Sequence, residues 1–68
     1  MNENKQAAKQ ALLAIASTVK DLGEVPSGHL YAALMDKMSL DVYNSLIEVL
    51  VRNKVIREEP SHLLVWVG

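Results

Sequence analysis

The chain has no cysteine and no phenylalanine, only two prolines and three glycines, and no excess of basic residues. Without cysteine there is no disulfide, no thiolate nucleophile and no Cys-type zinc site, which is compatible with a reducing compartment. With Tyr31, Tyr43 and Trp66 as the only aromatic residues, the core has to be built from Leu, Ile, Val, Ala and Met. No segment approaches the roughly 18 consecutive apolar residues of a membrane span. The opening MNENKQAAKQ holds no apolar run that could act as a signal peptide. The expected location is cytoplasmic, with no membrane partner. Gly23, Gly28 and Gly68 are dispersed, so no glycine-rich phosphate loop is present.

Positive charge is scarce as well. Seven Lys and Arg face eight Asp and Glu, a net charge of −1. The part before Ser39 is neutral, and the remainder sets Arg52, Lys54 and Arg57 against Asp41, Glu48, Glu58 and Glu59. Nucleic-acid-binding domains are usually basic where they meet phosphate, and no part of this chain is basic by count.

What is present is hydrophobic pattern. Half of the 68 residues are hydrophobic, which places the chain among globular rather than disordered sequences. It is expected to be one domain, 1–68, near the lower size limit for independent folding. A first helix is expected over about 5–22, capped by Asn2 or Asn4, with Ala8, Leu12, Ile15, Val19 and Leu22 in one stripe and Ala11 beside it. Leu13 lies off that stripe, among Lys9, Gln6, Ser17 and Lys20. It reads either as a lone exposed leucine or as an anchor for a second subunit. Gly23 suits a left-handed helix end, and Pro26 follows it.

GEVPSGH then reads as a loop into a second helix over about 27–36, opened by Pro26 as first residue or Ser27 as cap. Leu30, Ala33 and Leu34 form its expected inner face, with Tyr31 and Met35 adjacent. After a tight turn, Ser39 caps a third helix over about 40–53 whose apolar sector is Val42, Leu46, Val49 and Leu50, flanked by Tyr43 and Ile47. Asn53 is the expected left-handed end. VIREE and LLVWV, joined by Pro60-Ser61-His62, read as a hairpin of strands at about 55–59 and 63–67. Leu64 and Trp66 point to one face of it, Leu63, Val65 and Val67 to the other. The expected fold class is mainly α with a small β-hairpin, in the order α-α-α-β-β.

A short helix, a three-residue turn and a longer helix is helix-turn-helix spacing. LVRNKVIREEPSHLLVWV resembles the helix-to-wing passage of winged helix-turn-helix regulators, with Lys54 where that family often has glycine. The resemblance implies that the third helix enters the DNA major groove and that the wing meets the DNA backbone or minor groove. Carried onto this chain, the DNA-facing residues are Lys37, Asn44, Ser45, Arg52 and Arg57. Asn reads adenine and Arg reads guanine in a bidentate manner. Glu48 shares that helical face, and Glu58-Glu59 in the wing opposes binding to a polyanion.

No catalytic constellation is apparent. His29 and His62 lie outside any metal-ligand motif, and no serine has a base partner at recognisable spacing. The expectation is a non-enzymatic module with no cofactor, no metal and no small-molecule ligand. Two functions follow. One is a small regulator of double-stranded DNA, dimeric on two half-sites. The other is a protein-interaction or dimerisation module, binding itself or another protein through Leu13, Leu64 and Trp66, since Trp is a common interface anchor.

Overall fold

A computed structural model describes residues 2–68, and their side chains over 9–68. In chain order the elements are α1 (Asn2–Leu22), β1 (Glu24–Pro26), α2 (Ser27–Leu34), α3 (Leu40–Arg52), β2 (Ile56–Glu58) and β3 (Leu63–Trp66). Three helices therefore accompany a three-stranded antiparallel sheet of order β1-β3-β2. This mixed α+β arrangement is compatible with a helix-turn-helix followed by a wing.

In α1 the stripe forms around Ile15 and Val19, both fully buried, with Ala11, Leu12 and Ala16 beside them. The side chains of Asn2, Asn4, Lys5 and Ala8 lie outside the described residues. Leu22 is exposed rather than part of the stripe, because the helix ends there. Gly23 takes φ 80° and its N–H donates to the Val19 carbonyl at 2.7 Å, a left-handed helix end that any Cβ would strain.

The stretch expected to be a loop contains a strand. Glu24, Val25 and Pro26 pair with Val65, Leu64 and Leu63, so the hairpin is the far side of a three-stranded sheet. Three residues are too few to show a two-residue period, and the pairing is made with residues about forty positions later. Pro26 fits because β1 is an edge strand, where a missing N–H is tolerated.

α2 begins at Ser27 with Pro26 in the cap position, and Pro26 offers no side-chain bond. The wing supplies the missing acceptor: the Ser27 N–H donates to the His62 carbonyl at 2.9 Å. The helix ends at Leu34, earlier than the spacing suggests, and turns over 35–37. Leu30 is buried and Leu34 half-buried, whereas Ala33 and Met35 are exposed.

Ser39 caps α3, its hydroxyl accepting from the Val42 N–H at 3.3 Å. The buried face is Tyr43, Leu46, Ile47 and Leu50. Val42 and Val49, expected at its centre, stand at its margin, 45% and 39% exposed. At about 100° per residue the face turned to α1 and the sheet is centred between Tyr43 and Leu50, and the two valines fall at one edge of that sector.

The end of α3 corrects another expectation. Asn53 has φ −89°, and it is Lys54 that is left-handed, at φ 62°. Lys54 N–H donates to Val51 and Val55 N–H to Leu50, each at 3.0 Å, which is a Schellman closure with lysine in the glycine position. Asn53 contributes through its side chain, Nδ2 donating to the Val49 carbonyl at 2.7 Å. Because a left-handed conformation costs a residue with a Cβ roughly 1–2 kcal/mol, and glycine loses some of that advantage to its greater unfolded-state freedom, Lys54→Gly is expected to stabilise the fold by about 0.5–1 kcal/mol. A urea midpoint equal to or below the parent's would show that Lys54 makes a compensating contact.

On the sheet, Leu64 and Trp66 face the helices together with Val25 and Ile56. Leu63 and Val65 are half-buried on the other face and Val67 is exposed.

Candidate functional site

Three of the proposed DNA-facing residues, Asn44, Ser45 and Arg52, are exposed on α3 and share its solvent side with Asp41 and Glu48. Their chemistry is partly spent locally. The Ser45 hydroxyl donates back to the Asp41 carbonyl at 2.9 Å, and the Arg52 guanidinium is ion-paired with Glu48 one turn earlier. Arg57 is not gathered with them. It pairs across the ladder with Val65, on the sheet face away from the helices, and its guanidinium bonds Glu59 at 3.1 Å. Lys37 is exposed in the turn between α2 and α3.

The proposed interface residues part company. Leu13 is 58% exposed, available as an anchor. Leu64 is 0% exposed: on the middle strand, facing the helices, it is covered by them, so it belongs to the core and not to an interface. Trp66 is half-buried against the same core, with Lys20 Nζ lying 6.0 Å from its ring centroid. The structure uses that ring for internal packing and a cation–π approach.

Sequence reasoning missed two features. The first is a polar knot where α2, α3 and the wing meet. The Tyr43 hydroxyl donates to the Ser27 carbonyl at 3.0 Å and lies 3.0 Å from the Ser27 hydroxyl, while its ring sits 5.0 Å from that of Tyr31. No local signal announces a pair sixteen residues apart. The second is the direction of Glu58. It shares its face of the sheet with Ile56, Leu64 and Trp66, so its carboxylate points toward α3 and is only 36% exposed. The alternation of VIREE contained this: Ile56 and Glu58 have the same parity.

Between α3 and β2 lies an open groove of about 330 Å³ lined by Asn44, Ile47, Glu48, Val51 and Glu58. Its rim charge is negative. The Glu58 carboxylate has His62 Nδ1 as its neighbour at 3.1 Å, and that imidazole carries charge only when protonated.

Burial pushes the Tyr43 phenol above its ordinary range, the Ser27 hydrogen bond lowers it in part, and the Glu58 charge raises it further. A phenol whose folded pKa is raised binds its proton more tightly folded than unfolded. Its stabilisation is whole below the unfolded value near 10 and is lost as pH rises through the folded value. Thermal melts should therefore show an alkaline loss of stability beginning near pH ~10 that is diminished in Tyr43→Phe. Identical alkaline profiles for the two proteins would remove Tyr43 as its origin.

Comparison with family models, curated proteins and solved structures finds no match to this chain. Function has to be argued from the surface itself. Among the described residues no group of three His, Asp or Glu side chains is placed to hold a metal ion, and no helix is long and apolar enough to cross a membrane.

Proposed function

We propose that this chain is a non-enzymatic winged helix-turn-helix binding module whose α3 and wing dock onto a protein rather than onto duplex DNA. The helix-turn-helix spacing of α2 and α3, followed by a hairpin completed by β1, supports the scaffold. The observation that carries the choice of partner is the state of the two arginines. Arg52 is paired with Glu48 of its own helix and Arg57 with Glu59 in the turn that follows β2, and Asp41 and Glu58 add negative charge nearby. A phosphate contact would have to break a pair and also approach the released carboxylate. Each such pair is exposed and contributes at most about 1 kcal/mol, so the obstacle is not the pairing energy but the net sign of the surface. Exposed Leu40, Val42 and Val51 add apolar area of the kind protein interfaces use.

The second reading, a duplex-binding regulator, draws on Lys37 and Lys54, exposed at the two ends of α3 with no ion pair among the described residues, and on the open Asn44 amide. One measurement separates the readings. Fluorescence anisotropy with pooled duplex fragments at low salt is expected to show no saturable binding. Binding that weakens along a steep log–log salt slope would count several phosphate contacts and reverse the order of the two.

A further inference from the structure

We propose that the groove between α3 and β2 receives a lysine or arginine side chain, flanked by aliphatic residues, from a segment of a partner protein. This rests on the reading of α3 and the wing as a protein-docking surface, and it names the chemistry of the partner. Ile47 and Val51 give the groove an aliphatic floor, and Glu48 from the helix and Glu58 from the strand stand on opposite walls. Leu40 extends the same side of α3 at i−4 from Asn44 and i−7 from Ile47, and it is half exposed. Long cationic side chains match such a site because their methylene stems lie on apolar surface while the head stays polar.

Glu58 decides the sign of the guest. Its carboxylate is turned to the inner face of the sheet, beside buried Leu64 and Ile56. Its one side-chain partner among the described residues is His62, whose Nδ1 lies 3.1 Å away. Glu48 is neutralised by Arg52, but that pair is widely exposed and weak enough to be exchanged. An anionic guest would meet two carboxylates, and a purely apolar guest would desolvate Glu58 without compensation. A guanidinium or ammonium pairs with Glu58 directly and with Glu48 by exchanging for Arg52, and a guanidinium can bond carboxylate in a bidentate manner.

The test is a titration of the isotope-labelled full chain with a short capped peptide of alternating leucine and arginine, followed by amide NMR shifts at physiological salt. Saturable shifts are expected at Asn44, Ile47, Glu48, Val51 and Glu58, and none with the peptide carrying glutamate in place of arginine. Glu58→Gln should weaken binding by about tenfold, Glu48→Gln by less, and Glu24→Gln, on the opposite sheet face, not at all. Absence of saturable binding, shifts on another face, or full affinity in both Glu58→Gln and Glu48→Gln would overturn the groove assignment while leaving protein docking elsewhere intact. Shifts at these amides that depend on protein concentration alone would give the groove to a second copy of the chain and also overturn it. A duplex oligonucleotide that moves the same amides would overturn the protein-docking reading itself.

Discussion

Tyr43→Ala is expected to leave the chain largely unfolded at room temperature. The ring is among the largest fully buried side chains, and truncating a buried aromatic costs about 3–5 kcal/mol. A domain of this size rarely has more than about 3–5 kcal/mol in total. The loss is not only volume. Tyr43 joins α3 to the first residue of α2 through Ser27, and the same Ser27 is tied to the wing by its backbone. Tyr43→Phe keeps the ring and removes the hydroxyl, and should cost only about 1 kcal/mol. Circular dichroism with urea unfolding checks both. A cooperative Tyr43→Ala transition close to the parent's would show that the ring does not hold the three elements together.

Leu64→Ala should have the next largest effect, about 2–5 kcal/mol. The residue is buried on the middle strand, between Val25 of β1 and Glu58 of β2, and no neighbour can close over the space without moving a strand. Leu13→Ala, by contrast, removes an exposed side chain and should lie within about 0.5 kcal/mol of the parent. The pair of variants sorts core from surface. If Leu64→Ala melts with the parent while binding or self-association changes, the strand faces the other way and Leu64 is an interface residue.

These two positions also show what the sequence made readable. The three helices were legible because Ile15 and Val19, Leu46 and Leu50, repeat at helical spacing and are bounded by Gly23 and Ser39. The hairpin was legible from β-branched runs around Pro60. The orientation of α3 was readable only to within one flanking position, because Val42 and Val49 are as apolar as the residues that are buried, and hydrophobicity alone cannot centre so broad a sector. β1 was not legible, since Glu24–Pro26 is defined by its partners rather than by its own residues. Leu64 and Trp66 share one sheet face by strand parity, but two apolar faces look alike in sequence. Which one the helices cover depends on where α1 and α3 pack. For the candidate surface, Asn44, Ser45 and Arg52 were grouped by helical spacing alone, and that grouping holds. Arg57 and the groove at Glu58 depend on strand parity and on the closeness of β2 to α3.

The order β1-β3-β2 has a consequence for how the molecule comes into being. The strand that both others need is the last of the three along the chain. Until it is present neither β1 nor β2 has a hydrogen-bonding partner in the sheet, and the partner of β1 lies far downstream of it. Long-range pairing of this kind is paid for in loop-closure entropy before it returns any contact. β2 and β3 can close locally as a hairpin, whereas β1 joins the sheet, and fixes the start of α2, only once Leu63–Trp66 is in place.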